Sequence, residues 1–300
     1  MSFTLHQLDV FAEVARKKSM TKAAEALFMS QPAVSIQAKK LQEHFEVDFF
    51  EVIGKELYLT EAGKELYEAQ KNISREVESL EMALSEIKGM MRGSLNVAVV
   101  STAKYFMPYI LGAFRSKFDK IKISLKVTDR NEVKEMLREN VCDLAVFSVL
   151  PPELELEAVE FLENPLLMAS APDHPLAQKK NIDFKDLDVH RFLIREPGSG
   201  TRMVMQQLFE SNNISPEIVM ELGTNEAVKQ AIMAGIGISL ISRYSLTLEE
   251  SVGKISVLDV KDLPYVNTWK LVYPKGKRLS PAAKNFIEFT TTASLRDILK

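Results

Sequence analysis

The chain has 300 residues, of which 46% are hydrophobic and 26% are charged, values typical of a soluble protein with a sizeable core. This length predicts two domains and a connector. With 38 Lys and Arg against 41 Asp and Glu, the formal net charge is -3, which excludes a uniformly cationic, histone-like binder. The single cysteine, Cys142, excludes an intrachain disulfide scaffold.

The N-terminal segment carries no cationic stretch followed by an apolar run, so no signal peptide is expected. No window of about 18 uncharged apolar residues predicts a membrane span. The four histidines lack metal-ligand spacing, and the sequence indicates no metal and no other cofactor. We therefore expect a cytoplasmic, soluble protein that contacts no membrane.

Residues 1–60 predict short helices followed by a pair of strands. The apolar stripe of the first helix is expected to consist of Leu5, Leu8, Phe11 and Val14. Ser19 and Thr21 can cap a second helix over residues 22–27, and Ser30 can cap a third, which carries Pro32 in its first turn. The spacing assigns the buried face of the third helix to Val34, Ala38, Leu41 and Phe45.

The outer face of the third helix is polar and rich in amides, which is typical of a helix-turn-helix protein. Gln and Ser can reach base edges in the major groove, whereas lysines neutralise phosphates. Residues 51–59, with Gly54 at the middle, predict a hairpin wing. Candidate DNA-contacting residues are Thr21, Lys22, Ser30, Gln31, Pro32, Ser35, Gln37, Lys39, Lys40 and Lys55. A three-helix bundle with a solvated third helix fits the same pattern.

The net charge of this segment bears on whether it binds DNA or is only a three-helix bundle. Through Lys64 it holds eight Lys and Arg but nine Asp and Glu, so the usual bulk basic signal of a DNA-binding domain is missing. Binding to DNA would then need few phosphate contacts per copy and two copies per site.

A long helix that begins near Thr60 can supply the two copies. Two sets of residues, each spaced seven apart and offset by four, continue for more than three repeats, as in a coiled coil. The expected dimer seam includes Leu66, Ile73, Val77, Leu80, Leu84 and Ile87, with Gln70 also on the seam. Gly89 and Gly93 are expected to end the helix. A long amphipathic helix packed on its own domain is the alternative.

From Ser94 onward, strands and helices alternate, which favours parallel strands with crossover helices in two α/β lobes. The chain is expected to cross between the lobes near residues 164–171 and again near 264–271. Ligands in open α/β sheets sit at the carboxyl ends of strands, where helices begin. The candidate residues at those junctions are Ser101, Thr102, Ala103, Lys104, Thr128, Arg130, Asn131, Ser148, Glu196, Gly198, Ser199, Gly200, Thr201, Arg202, Thr224, Asn225 and Glu226.

Glycines, hydroxyls, a helix N-terminus and the charge of Arg202 together favour an anionic ligand. The lysine of a P-loop is absent after Gly200, so nucleotide hydrolysis is not indicated. An enzyme acting on a phosphorylated substrate would need Glu196 or Glu226 as its base. A periplasmic solute-binding protein is a further alternative, but the N-terminal 90 residues argue against it.

Three segments closely resemble the N-terminal signature of LysR-type transcriptional regulators. They cover residues 23–27, 30–35 and 59–63, and they keep the family's spacing. The resemblance spans the whole chain and implies no enzymatic activity. It implies an α/β protein with an N-terminal domain dominated by helices: a winged helix-turn-helix, a long linker helix that dimerises, and a two-lobed effector domain like that of periplasmic binding proteins. Family members are often tetramers that bend promoter DNA.

The expected domains are a DNA-binding domain at 1–60, a linker helix at 61–92 and an effector domain at 93–300. Lobe I is expected at about 93–163 and 268–300, and lobe II at about 164–267.

Other segments look like the regulators of RuBisCO operons and their carbon-uptake relatives. They are residues 100–106, 161–166, 195–203, 225–231 and 274–281. This narrower resemblance implies phosphorylated metabolites or NADPH as effectors, and carbon-fixation genes as targets. An aromatic or amino acid effector remains the alternative. Ile36 and Val52 stand where many members of the broad family have arginine, which removes cationic contacts.

Overall fold

The computed structural model describes residues 3–54, 56–87 and 92–299. Its chain forms two compact units, residues 1–81 and 82–300. Lys55, which was predicted to contact DNA, and Gly89, which was predicted to end the long helix, lie outside the described residues. Among the described residues, no helix is both long and apolar enough to cross a membrane.

The first unit begins with three helices and a hairpin, as predicted for a winged helix-turn-helix. These elements are α1 (Leu5–Lys17), α2 (Met20–Ala26), α3 (Gln31–Phe45) and the antiparallel strands β1 (Phe50–Ile53) and β2 (Glu56–Leu59). The Ser19 hydroxyl accepts a hydrogen bond from the Lys22 amide, and Ser30 accepts one from Ala33, each at 3.3 Å. Both serines therefore cap the helices that the sequence assigned to them.

The buried stripe of α3 is shorter than predicted. Val34, Ala38 and Leu41 are buried, but Phe45 remains 40% exposed. Its ring lies 5.2 Å from that of Phe3, centroid to centroid. Phe45 is the last residue of α3, and the next residue takes a left-handed conformation. Phe45 therefore lies at the end of the helix, after the last buried residue of the stripe.

The long helix α4 (Glu61–Ile87) is capped as expected, because the Thr60 hydroxyl accepts a hydrogen bond from the Gly63 amide at 3.0 Å. The first half of the predicted dimer seam packs on its own unit. Leu66 and Ile73 contact a buried cluster that includes Phe11. Gln70, expected on the seam, is buried and donates to Asp9 Oδ1 at 3.2 Å.

Strands and helices alternate through the second unit. In chain order they are β3 (Gly93–Val100), α5 (Met107–Lys117), β4 (Ile121–Thr128), α6 (Arg130–Arg138), β5 (Leu144–Phe147), β6 (Leu156–Ser170), β7 (Phe192–Arg195), α7 (Gly200–Asn212), β8 (Ile218–Leu222), α8 (Asn225–Met233), β9 (Ser239–Ser242), α9 (Thr247–Ser251), β10 (Ser256–Val257), β11 (Tyr265–Pro274), α10 (Pro281–Thr292) and α11 (Leu295–Ile298).

Two long strands connect the lobes. The main sheet has the order β10-β6-β11-β5-β3-β4, and β9 also pairs with β6. We call lobe I the part built around β3, β4 and β5, and lobe II the part around β7, β8 and β9. The predicted parallel pairing holds for β3 with β4 and β5, and for β7 with β8. The segments of β6 and β11 were predicted only as crossings between the lobes; in the structure they are strands that pair antiparallel with each other and carry the chain between the lobes.

Gly93, which was predicted to end α4, instead starts β3. Its φ of +140° is one that other residues rarely adopt, and a Cβ there would lie 2.3 Å from Met82 Cγ. Glycine is therefore required at this position for backbone conformation and for the close approach of Met82.

Side-chain hydrogen bonds link β6 and β11 where these strands pass from one lobe to the other. The Asn164 side chain is buried, donates to Asn267 Oδ1 at 2.8 Å and accepts from the Ser242 hydroxyl at 2.7 Å. Each lobe has its own apolar core, with Phe106, Trp269 and Phe286 in lobe I and Phe192 in lobe II. The two lobes are thus separately packed bodies joined by paired strands.

Candidate anion-binding cleft and DNA-contacting surface

A cavity of about 30 Å³ lies between the lobes, where helices begin after the carboxyl ends of several strands. It is lined by Val100, Ser101, Thr102, Asp129, Arg130, Phe147, Ser148, Arg195, Glu196, Ser199, Gly200, Thr201 and Trp269. The volume accommodates only a few water-sized groups. Eight of these lining residues were among the predicted junction residues. They are Ser101, Thr102, Arg130, Ser148, Glu196, Ser199, Gly200 and Thr201.

Arg195, at the end of β7, is the centre of a buried hydrogen-bond network. The residue is 3% exposed. Its Nε and Nη2 donate to the two oxygens of Glu196 at 2.6 and 2.7 Å, a bidentate ion pair. Nη2 also donates to the Ser101 hydroxyl at 3.1 Å, and Nη1 donates to Asn225 Oδ1. Most of its donor capacity is therefore used by the protein itself.

Two hydrogen bonds cross the cleft from lobe II to lobe I. One is the bond from Arg195 to Ser101. In the other, Asn225 Nδ2 donates to Thr102 Oγ1 at 2.8 Å, and both side chains are buried. Because these bonds join the two lobes directly, any change in the angle between the lobes has to lengthen or exchange them.

Arg130, the first residue of α6, differs from Arg195 in forming no ion pair with a carboxylate of the described residues. Its Nη1 donates to the Val149 carbonyl at 2.6 Å, and its guanidinium lies 5.0 Å from the centre of the Phe147 ring. Among the described residues, no carboxylate forms an ion pair with it within 4.0 Å. Burial lowers the pKa of Arg130, and the negative charge of Glu153 opposes this shift only in part.

The start of α7 contributes the lobe II wall. Ser199, Gly200 and Thr201 line the cavity there, so the N-terminal end of the helix, where the first amides have no partner within the helix, lies at this wall. A Cβ added at Gly200 would lie 3.4 Å from Ser148 Oγ, across the cleft. Trp269 also lines the cavity, and its buried indole N–H has no hydrogen-bond partner among the described residues. Unpaired donors of this kind favour an acceptor ligand.

Several predicted residues lie outside the cavity wall. Arg202 was expected to supply the charge, but its Nη1 donates to Glu221 at 2.5 Å and to the Arg195 carbonyl. Thr128 donates instead to Glu132, and Asn131 is exposed.

Others serve the fold around the cleft. Thr224 caps α8 through the Ala227 amide at 3.1 Å. Glu226 pairs with Lys229 at 2.9 Å, and this hydrogen bond lowers the pKa of Glu226. Lys104 stacks over Tyr105, Ala103 is buried, and Gly198 adopts a φ of +86° in the turn before α7. Asn225 does not line the cavity, but its side chain forms hydrogen bonds with Thr102 and Arg195, which do.

Arg130 was one of the predicted junction residues, but the charge of the site was assigned to Arg202. The lining residues Val100, Asp129, Phe147, Arg195 and Trp269 were not predicted. The sequence did carry a signal for Arg195: it is a charged residue at the end of a short apolar strand, directly before Glu196. Trp269 lies on β11, a strand the sequence analysis read only as a crossing. No cluster of three or more metal-ligating side chains occurs within residues 3–54, 56–87 and 92–299.

The outer surface of α3 carries the predicted DNA-contacting side chains. Gln31, Pro32, Lys39 and Lys40 are exposed, whereas Ser35 and Gln37 are half-buried. The ammonium of Lys39 lies 3.6 Å from the carboxylate of Glu43, one turn further along. Thr21, Lys22 and Ser30 are exposed on α2 and in the turn before α3. The candidate residues thus lie on α2, on α3 and in the turn between them.

The second half of α4 presents apolar side chains to solvent. Leu80, Leu84 and Ile87 are each at least half exposed, and Val77 is half-buried. Exposed large apolar residues in a helical row are typical of a surface that a partner covers.

Comparisons with known proteins agree with this architecture. Residues 5–64 match the family model for the bacterial regulatory helix-turn-helix protein of the lysR family, and residues 88–294 match the LysR substrate binding domain. The chain is 41% identical over 286 residues to the HTH-type transcriptional activator CmpR of Synechocystis sp., covering 95% of this chain and 94% of that protein.

It is also 41% identical over 296 residues to the RuBisCO operon transcriptional regulator of Allochromatium vinosum, covering 99% and 98% of the two chains. The solved CcmR regulatory domain of Synechocystis PCC6803, in complex with 2-PG, is 38% identical with a TM-score of 0.64, over 67% of this chain and 98% of that one. The chain belongs to the LysR family of transcriptional regulators.

Proposed function

We propose that this protein regulates carbon-fixation genes, binding promoter DNA as a homodimer or tetramer and binding a small phosphorylated carboxylate between its lobes. The names of the similar regulators support the target class. The 2-PG (2-phosphoglycolate) bound by the similar CcmR domain supports the effector class. A regulator that reads promoter DNA acts in the cytoplasm and needs no catalytic base.

The observation that carries the effector proposal is the unpaired charge of Arg130. A half-buried guanidinium with no ion-paired carboxylate carries a desolvation cost, which the charge of Glu153 offsets only in part and an anionic ligand would offset further. Its planar donor fork suits a phosphate or a carboxylate bidentately. The hydroxyls of Thr102 and Thr201 and the amides at the start of α7 supply further donors to such an anion.

Effector binding should be coupled to lobe movement. Direct hydrogen bonds join the lobes across the cavity, so we expect the lobes to separate when a phosphorylated acid enters between them. Separation breaks the bonds from Arg195 to Ser101 and from Asn225 to Thr102, and the ligand then replaces them. The ligand stabilises whichever lobe angle it fits, which is how it would act on the DNA-binding units.

The DNA-binding part of the proposal rests on α3 and on two copies of the chain. In this proposal residues 1–60 contact DNA, 61–92 dimerise and 93–300 bind effector. Paired α3 helices would lie in major grooves about 34–36 Å apart, or a multiple of that. Few phosphate contacts per copy suit the near-balanced charge of the unit.

Calorimetric titration of the full chain with 2-phosphoglycolate tests the effector site. We expect binding by the wild type, and binding weakened about 10- to 100-fold in Arg130→Gln, because a charged hydrogen bond contributes about 1.5–3 kcal/mol. Arg138→Gln, on the same helix but paired with Glu135, is the matched control and should bind like the wild type. Glycolate, which lacks the phosphate, should bind weakly to all three. Equal affinity of the wild type and Arg130→Gln would contradict the proposed site.

A further inference from the structure

The outermost ridge of α3 is apolar where it begins. Each residue of an α-helix advances about 100° around the axis, so Ile36 lies about 160° from both Val34 and Ala38, which are buried. Ile36 is 53% exposed. Pro32, one turn earlier and also exposed, lies about 40° from Ile36 on the same ridge.

The half-buried polar residues of α3 lie to the sides of this ridge. Ser35 and Gln37 are each about 100° around the axis from Ile36. Lys40, one turn after Ile36, continues the ridge, and Lys39 lies beside it; both are exposed. The ridge therefore carries two apolar residues followed by lysines.

This arrangement determines which side chain lies deepest when α3 enters a major groove. The buried stripe faces away from the DNA, so the opposite ridge faces the floor of the groove, where base edges are exposed. Ile36 is then the side chain nearest to the base edges, and Ser35 and Gln37 are nearer to the groove walls. The lysines further along reach the phosphates.

Only one base edge in the major groove offers an apolar partner. Thymine carries a C5-methyl group there, whereas guanine, adenine and cytosine present polar donors and acceptors. Covering those polar atoms with an isoleucine would leave them unpaired, which is unfavourable. Contact with a methyl group instead removes apolar surface of both partners from water.

We propose that Ile36 is a specificity-determining residue that contacts the C5-methyl group of a thymine in each half-site. The inference rests on the proposed DNA-binding function and deepens it by naming the base that the centre of α3 recognises. It adds an apolar contact to the polar readout expected of Gln31 and Ser35.

The test compares thymine with uracil, which differ only in that methyl group. A duplex is first selected from a random-sequence library with the full-length protein, and the same duplex is then made with deoxyuridine in place of every thymidine. For the wild type, we expect affinity to fall about fourfold for each contacted methyl that is lost, and about 16-fold for two half-sites.

Two variants decide whether Ile36 causes the difference. Ile36→Ala should bind the thymine and uracil duplexes with nearly equal affinity. Val52→Ala, which truncates an exposed apolar residue on the hairpin rather than on α3, should keep the discrimination of the wild type. Equal binding of both duplexes by the wild type, or full discrimination retained in Ile36→Ala, would overturn the inference while leaving DNA binding intact. Failure to enrich any duplex would overturn the DNA-binding function, and the inference with it.

Discussion

The surface of α3 and the cleft between the lobes use positive charge in opposite ways. On α3, Lys39 and Lys40 are exposed, and salt screens their interaction with phosphates. In the cleft, Arg130 and Arg195 are held partly or fully out of water, where each contact contributes more free energy and depends more on geometry. The first arrangement suits a long, repetitive polyanion, and the second suits one small anion.

We expect the greatest loss of DNA affinity when the second copy of the chain is removed, because the exposed lysines of one α3 make few contacts with phosphates. Leu84→Glu places a charge among the exposed apolar side chains of α4, and we expect it to separate the dimer. Loss of the second α3 should lower DNA affinity by about 100-fold or more, since the two contacts no longer reinforce each other. Sedimentation and a gel-shift titration measure the two effects.

Ala69→Glu, an exposed position on the same helix before this row of residues, is the control and should remain dimeric. A Leu84→Glu protein that stays dimeric and binds DNA normally would remove α4 as the dimer surface.

A smaller effect is expected from Glu196, the carboxylate that pairs with Arg195 inside the cleft. Glu196→Gln removes the carboxylate that occupies Arg195, which frees this guanidinium for an external anion. We expect 2-phosphoglycolate to bind about tenfold more tightly, because one charged hydrogen bond no longer has to be displaced. Calorimetry measures the change. Glu221→Gln, which loses only its pair with Arg202 outside the cavity, should leave affinity unchanged. Weaker binding by Glu196→Gln would mean that Arg195 only holds the fold.

The smallest effect is expected on the DNA surface. Lys39→Ala should weaken binding to all duplexes alike and reduce the slope of log affinity against log salt by about one. Filter binding over a series of salt concentrations measures that slope. Lys64→Ala, on α4 and paired with Glu61, serves as the control. A change in sequence preference in Lys39→Ala would show that this lysine reads bases.

Local features of the molecule could be predicted from the sequence. The caps Ser19 and Ser30 and the buried stripe Val34–Ala38–Leu41 depend on neighbours within one or two turns, so their spacing predicts their structure. Phe45 and Gln70 were assigned wrongly because periodicity does not reveal where a helix leaves the core or which of its faces packs on its own unit.

The cleft was harder to predict because it is assembled from distant segments. Strand–helix junctions selected Thr102 and Asn225, and the structure brings their side chains together in a hydrogen bond between residues 123 positions apart. They did not indicate that Arg202 turns to Glu221 while Arg195 turns inward. Both arginines lie beside the same loop, and the pairing of Arg202 with Glu221 on β8, 19 residues later, cannot be read from the local sequence.

We expect an anion in the cleft to change how the protein holds promoter DNA. Footprinting of the wild type on its selected duplex, with and without saturating 2-phosphoglycolate, tests it most directly. We expect the protected region or its bend-sensitive cleavage pattern to change, and the change to be absent in Arg130→Gln. Identical footprints of the wild type in both conditions would contradict the account.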